Sequence, residues 1–322
     1  MTANDAERDG GHDTASAAAP DTASADAFDA ATLDAERGML MSLAYRMLGT
    51  VADAEDAVQE TYARWYRMSP AERTAIENPA AWLTRVASRV CLDQLGSARA
   101  RRERYVGEWL PEPLPGGTGM FATPASSDPL DRVTLDESVS TALLVVLESL
   151  TPAERVAFVL HDVFAMPFGE IAEIVGRSPD ACRQLASTAR RHVRERREGS
   201  ATREQHDAVV QAFIAAAGEG DLQGLLALLD PDVVLVSDGG GLKSAARRPV
   251  LGPDHVGRYI LGQLEKRGLA MTMSVHETPD GLTLAFTEDG VIDSVAVLDV
   301  RDDRVTRIWI MRNPEKLRLW NE

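Results

Sequence analysis

The segment Phe168-Gly-Glu-Ile-Ala-Glu-Ile-Val-Gly-Arg-Ser-Pro-Asp-Ala-Cys-Arg-Gln-Leu-Ala-Ser-Thr-Ala-Arg-Arg191 restricts the fold of this chain more than any other. Phe168, Ile171, Ala172 and Val175 recur at the three- and four-residue spacing of one apolar helix face. Gly176 ends that helix, and Ser178-Pro179 starts another as N-cap and first-turn proline. In the second helix Cys182, Leu185, Ala186, Ala189 and Val193 form the apolar stripe, which leaves Arg183, Gln184, Ser187, Thr188 and Arg191 on the open face. Ala172 is small where the two helices cross. Two helices joined by a short glycine-containing turn make a helix-turn-helix, whose second helix lies in the DNA major groove. An ordinary helical hairpin with an arginine-rich surface is the plain alternative. The coincidence of the turn, the small residue and the basic face favours nucleic acid.

At 322 residues the chain has room for two or three domains, and 44% hydrophobic residues are enough for packed cores. No apolar run approaches the ~18 residues of a membrane span, and the N-terminus lacks a basic-then-apolar leader, so a cytoplasmic protein without a membrane partner is expected. Cys91 and Cys182 fall on apolar helical stripes, with neither disulfide nor metal-ligand spacing, and no metal or cofactor is expected. The net charge of −16 is unusual for a DNA-binding chain, but it is unevenly distributed. Residues 1–34 are rich in Ala, Asp, Ser and Thr and read as a disordered acidic tail. Positive charge gathers instead in Arg85 to Arg104 and Arg183 to Arg197, two patches able to meet two sites on one duplex. Overall acidity suppresses non-specific DNA binding, which suits a protein brought to DNA by a larger partner.

The predicted organisation is a helical domain over 35–108, a Pro/Gly-rich linker over 109–129, a second helical domain over 130–198, and an α+β domain over 203–322. The first contains an apolar helix from Met39 to Gly49, an amphipathic helix from Val51 to Trp65, a polar loop with at most a short helical turn to Glu77, and a long helix from Pro79 whose second half is basic. In that helix Trp82 shares a face with Leu83, Val86 and Val90 and reads as core. Trp109-Leu-Pro-Glu-Pro-Leu-Pro-Gly-Gly117 cannot be regular helix, because its prolines lack amide donors and restrict their neighbours. Beyond residue 200, helical patterns at His206–Ala217, Leu222–Leu229 and Asp254–Lys266 alternate with and precede strand-like runs. These end in Met271–Val275, Leu282–Phe286, Val291–Val300 and Val305–Met311, an antiparallel meander by its turn signals.

Residues Asp53-Ala-Glu-Asp-Ala-Val-Gln-Glu-Thr-Tyr-Ala-Arg-Trp65, Asn78-Pro-Ala-Ala-Trp-Leu83, the basic run to Arg104 and the helix-turn-helix resemble, in order and spacing, an extracytoplasmic-function sigma factor. Such a factor is the bacterial subunit that gives RNA polymerase its promoter choice. The carboxyl third resembles SnoaL-like domains of the nuclear-transport-factor-two-like fold. Trp109-Leu-Pro-Glu-Pro-Leu114, Asp238-Gly-Gly-Gly241 and Asn313-Pro-Glu-Lys-Leu317 look like signatures of the sigma subgroup carrying such a fused domain. The fold this implies is multidomain: two all-α sigma domains, the second a helix-turn-helix, followed by an α+β SnoaL-like domain.

The resemblance implies two partners, RNA polymerase core and promoter DNA. Asp53, Glu55, Asp56, Gln59 and Glu60 would form the acidic face that docks on the polymerase clamp. Arg85, Arg89, Arg99, Arg101 and Arg102 would hold phosphates of the melted minus-ten element, with a flipped base in the loop around Met68–Asn78. Arg183 and Gln184 would reach base edges of the minus-thirty-five element, and Ser187, Arg190 and Arg191 its phosphates. Thr188 stands where the family often has arginine, and Leu242 separates the glycines from Lys243.

A regulatory contact is expected between Leu110, Pro111 and Pro113 of the linker and two C-terminal segments, Asp238, Gly239, Gly240 and Gly241 on one side and Asn313, Pro314, Lys316 and Leu317 on the other. Fold alone does not name what a SnoaL-like domain does. Asp238, His276, Glu288 and Asp293 are available as pocket acids or bases but form no recognisable catalytic set, so no catalysis is expected. The rival reading makes the domain an enzyme or a sensor for an unknown small-molecule ligand. An autonomous repressor is a third reading and leaves the Asp53–Trp65 face without a role.

Overall fold

The structure, a computed structural model, describes residues 22–102, 105–116, 140–197, 199–268 and 271–322, with the side chains of 22–32, 97–102 and 197 outside the described set. Helix α1 (Thr22–Leu48) starts earlier than the apolar run at Met39 and takes in residues assigned above to the disordered tail. Alanine has the highest helix propensity, so the Ala-rich stretch sustains helix despite its acidity. Leu33 is buried, and its carbonyl accepts from the Tyr62 hydroxyl at 2.8 Å, which ties this part of α1 to the bundle. Residues 1–21 of that tail lie outside the described residues.

Helix α2 (Val51–Tyr66) begins at Thr50, whose side chain accepts from the Asp53 amide. Its stripe of Val51, Ala54, Ala57, Val58, Thr61 and Trp65 is buried. A Ser69–Glu72 capping box closes the one short turn of the following stretch, α3 (Pro70–Thr74). Helix α4 (Pro79–Arg102) buries Leu83, Ala87, Val90, Cys91 and Leu95 against α1 and α2. Trp82 packs on this core with its ring edge-on to Trp65, centroids 5.2 Å apart.

The second set of helices is α5 (Thr141–Ser149), α6 (Pro152–Phe158), α7 (Phe168–Val175) and α8 (Pro179–Arg197), with a π-turn at Val159–Val163. Gly176 adopts φ 71°, the left-handed conformation that lets the chain turn from α7 into α8. Helix α7 buries Ile171, Ala172 and Ile174, whereas Phe168 and Val175 are only partly covered. The apolar face is therefore wider than its sequence periodicity indicated, because α4 and α6 both pack on this two-turn helix. In α8 Cys182, Ala186, Ala189 and Val193 are buried and Leu185 is partly covered. The two helical sets share one apolar cluster reaching from Leu33 to Val193. Buried Arg155 fastens them, donating to the Met47 carbonyl at 2.7 Å and pairing with Glu148 at 2.6 Å.

The C-terminal third has α9 (Arg203–Glu219), α10 (Leu222–Leu228) and α11 (Pro253–Arg267) packed on one sheet of β1 (Leu229–Asp238), β2 (Val250–Leu251), β3 (Met271–Thr278), β4 (Gly281–Glu288), β5 (Val291–Arg301) and β6 (Arg304–Met311). Strand order is β2-β1-β6-β5-β4-β3. Strands β3 to β6 form the antiparallel meander, but β1 pairs with β6 in parallel. The chain crosses through α11 to the far edge before the meander returns to β1, and such a crossover is what parallel pairing requires. Along β5 the side chains alternate. Ala296 and Leu298 face the helices, and Val295 and Val297 face the other way. That second face is also apolar, and it is covered by Leu110, Leu317 and Trp320.

Candidate functional site

The Trp109–Leu114 segment runs as an extended strap between the helical part and the C-terminal sheet, as its prolines dictate. Two of its remaining amides point to different partners. The Leu110 N–H donates to Asp238 Oδ2 at 3.0 Å, and the Glu112 N–H donates to the Gly49 carbonyl at 2.9 Å. On the helical side the Tyr45 hydroxyl donates to the Glu112 carbonyl at 2.5 Å. The Glu112 carboxylate caps α2 by accepting from the Val51 N–H at 2.8 Å. Burial raises the Glu112 carboxyl and the Tyr45 phenol above their usual pKa ranges. Gly49 has φ 82°, and a Cβ there would lie 2.8 Å from Trp109 Cη2, so the strap's indole occupies the space a side chain would need.

On the C-terminal side Asp238 is 0% exposed. Its carboxylate accepts from the Tyr105 hydroxyl at 2.7 Å, the Leu110 amide, the Gly240 amide at 2.9 Å and Lys316 Nζ at 2.8 Å. Lys316 also donates to the Leu110 carbonyl at 2.6 Å and lies 4.1 Å from the Trp109 ring centroid. Burial and the adjacent Asp238 push the Tyr105 phenol upward. Asn313 donates to the Tyr105 oxygen at 2.8 Å and caps the 3-10 turn Pro314–Lys316. Trp320 Nε1 donates to the Pro113 carbonyl at 2.8 Å. Gly240 sits at φ 62°, and a Cβ there would be 2.5 Å from Asn313 Nδ2.

The structure thus brings Leu110, Pro111, Pro113, Asp238, Gly240, Asn313, Lys316 and Leu317 to one seam. Gly241 approaches Val106, Gly239 packs within its own turn, and Pro314 is exposed. Gly240 meets Asn313 rather than the strap, and Pro113 meets Trp320. Sequence reasoning missed Tyr45, Gly49, Tyr105, Glu112 and Trp320. The continuous apolar run Val295-Ala-Val-Leu298 was a usable signal, since it requires cover on both sheet faces.

A second junction joins α5 to the β3–β4 turn. Asp280 accepts from the Thr141 amide at 2.6 Å and the Thr141 hydroxyl at 2.8 Å. Burial lifts its carboxyl to about 6, against the lowering effect of those hydrogen bonds.

The proposed polymerase face lies along α2. Asp56 and Gln59 are exposed, and Asp53 accepts from the Thr50 hydroxyl at 2.7 Å. Glu55 faces Arg318 at 3.8 Å, and Glu60 is paired with Arg64 at 2.9 Å, whose hydrogen bond lowers its pKa. The first basic patch meets α7: Arg85 lies 3.7 Å from Glu170 and 3.4 Å from Glu173, and Arg89 donates to the Glu173 carbonyl at 3.2 Å. The side chains of Arg99, Arg101 and Arg102 lie outside the described residues. On α8, Gln184, Ser187 and Arg191 are exposed, Arg183 pairs with Asp180 and lies over the Phe168 ring, and Arg190 pairs with Asp162 at 2.5 Å.

Asp293 is held by Lys243 at 2.7 Å, Arg267 at 2.8 Å and Arg312 at 2.7 Å. Burial alone would raise its pKa, but these cations keep it well below the usual carboxylate range. His276 contacts Ser274 Oγ at 2.9 Å and stands edge-on to Trp320. Among the described residues no group of three or more His, Cys, Asp or Glu could hold a metal, and no helix is long and apolar enough to cross a membrane.

Two family profiles match the chain: Sigma-70 region 2 over residues 33–101 and Sigma-70, region 4 over residues 140–193. The chain is 43% identical over 291 residues to the ECF RNA polymerase sigma factor SigJ of Mycobacterium tuberculosis, covering 87% of this chain and 90% of that protein. It is 38% identical over 286 residues to SigI of the same species, covering 88% of this chain and 92% of that protein. The crystal structure of Mycobacterium tuberculosis SigJ superposes with a TM-score of 0.68 at 39% identity, covering 90% of this chain and 98% of that one.

Two outcomes follow from the junctions. Lys316→Met leaves Asp238 buried without its counter-charge and should cost about 3–5 kcal/mol. Urea unfolding measures it, and an unchanged midpoint would show that the pair does not hold the seam. At the second junction the docked Asp280 binds its proton more tightly than the free carboxyl of ordinary pKa 3.8. The contribution of Asp280 to stability is therefore fully present below that value and is lost as pH rises through about 6. Asp280→Asn should remove this slope from a plot of melting temperature against pH.

Proposed function

The chain belongs to the extracytoplasmic-function RNA polymerase sigma factors, and from that premise we propose that its C-terminal domain regulates promoter engagement by clamping the strap between the two sigma regions. As a sigma factor it directs polymerase core to specific promoters. Asp53, Glu55, Asp56, Gln59 and Glu60 supply the core-binding face. Arg85, Arg89, Arg99, Arg101 and Arg102 hold the melted strand. On α8, Arg183 and Gln184 read bases, while Ser187, Arg190 and Arg191 hold phosphates.

The observation that carries the regulatory reading is the strap itself, held by Gly49, Tyr45 and Val51 on one side and by Asp238, Lys316 and Trp320 on the other. In this arrangement Arg85 and Arg89 face Glu170 and Glu173 of the helix-turn-helix and not a phosphate backbone. Arg318 likewise reaches Glu55 on the polymerase face. Engaging two promoter elements requires the sigma regions to part, so the clamp biases a two-state equilibrium toward the closed form. The sensor reading rests on an apolar cavity between α11 and the sheet, lined by Phe213, Tyr259, Leu264 and Phe286 among others. Its volume is about 80 Å3, against ~300–1,000 Å3 for ordinary ligand pockets, which makes it the weaker reading.

In-vitro transcription with core polymerase tests the clamp. Lys316→Met, full-length, should raise promoter-dependent transcription above wild type, and equal activity would sink the regulatory reading. In a core pull-down, the double variant Asp56→Lys/Glu60→Lys should lose binding while keeping its helical circular dichroism. Undiminished binding would remove the assignment of the α2 face. Both side chains lie off the buried stripe, so little stability is at stake.

A further inference from the structure

A cavity of about 380 Å3 lies at the seam of α8 with the C-terminal sheet, apart from both the strap and the surfaces assigned to DNA. Ser140 and Arg196 line it from the helical part, and Ser200, Asp299 and Arg301 from the C-terminal part. Arg196 and Arg301 each have a buried Nε that meets no hydrogen-bond partner among the described residues. Arg301 Nη2 pairs with Asp299 at 3.2 Å, and Arg307 sits opposite Asp299 in the β5–β6 register. Burial first, and then repulsion from Arg307 and Arg301, pulls the Arg196 guanidinium down to about 10. Arg307 is also lowered by burial and by Arg301. Arg203, on the same cavity wall, is already engaged by Asp207 at 3.4 Å and the Thr278 carbonyl at 2.9 Å. Three guanidiniums, Arg196, Arg301 and Arg307, therefore gather around the carboxylate of Asp299, while the other carboxylate on the cavity wall, Asp280, is taken up by the Thr141 amide and hydroxyl.

Partly buried like charges are unfavourable unless an anion joins them, and guanidinium N–H groups match the geometry of phosphate oxygens. We propose that this cavity binds a phosphate group, free or carried by a small organic phosphate. Because its walls come from both halves of the chain, the occupant touches the end of α8 and strand β5 together. It thus adds a ligand-dependent tie between the helix-turn-helix and the C-terminal domain, a tie that does not depend on the Asp238–Lys316 clamp.

Calorimetric titration of the full chain tests this, with inorganic phosphate and glycerol phosphate as the two probes and sodium chloride of equal ionic strength as the blank. Saturable binding is expected, weakened about tenfold or more by Arg196→Gln or Arg301→Gln, as the loss of a charge-assisted hydrogen bond implies. Exposed Arg194→Gln should bind like wild type. Tighter binding of inorganic phosphate identifies the free ion, and tighter binding of glycerol phosphate identifies an organic phosphate. Arg301→Gln also breaks the pair with Asp299, so Arg196→Gln decides the matter should the former fail to fold. Absence of saturable binding to either probe, or binding undiminished in Arg196→Gln, overturns the proposal.

Discussion

Asp238 ends strand β1 with no solvent contact, and a carboxylate in that position is tolerable only with its donors in place. Those donors come from three separate stretches: Tyr105 and Leu110 ahead of the sigma region-four helices, Gly240 in the adjoining turn, and Lys316 near the chain end. Removing any one segment leaves the others facing a desolvated charge. The seam is therefore expected to form or open as a unit, which is the behaviour a two-state element needs. The aromatic rings of Trp109 and Tyr105 beside Lys316 exclude water from the pair and add cation–π attraction.

The C-terminal sheet explains why the strap is needed at all. Its central strands are apolar on both faces, and the three helices cover only one. Leu110, Leu317 and Trp320 close the other, with Ala142 and Val145 of α5 packed alongside. The prolines suit this role, since a chain already restricted in φ loses less entropy when it docks. Glu112 then uses the one polar side chain of the strap to cap α2, so the same six residues satisfy the sheet and the sigma region-two helices.

Burial separates the strong contacts from the exchangeable ones. Arg85 and its acidic neighbours Glu170 and Glu173 keep 38%, 40% and 60% of their side-chain surface exposed, at separations of 3.4–3.7 Å. Such pairs contribute ~0–1 kcal/mol and part readily. Lys316 and Asp238, at 7% and 0%, cannot part without stranding a buried charge. In the proposed clamp it is this buried pair, and not the surface arginines, that would set the closed form.

The helical elements were legible locally. The stripe of α2, the Gly176 turn and the turn-separated strands of the meander each depend on neighbours within a few residues, and each appears in the structure. The glycine run after Asp238 and the prolines of the strap could likewise be recognised, because backbone restriction is written in residue type. The helix through residues 22–34 was misread because acidity was weighed above alanine propensity and Leu33 had no visible partner. The parallel β1–β6 pairing and the merging of both sigma regions into one core depend on which surfaces meet after the chain has turned back. So do the partners of Asp238 and the shared arginine cavity. Side-chain hydrogen bonds of Lys316 reach residues 78 and 206 positions away. No local pattern encodes such a contact; it exists only once folding has brought its members into the same desolvated space.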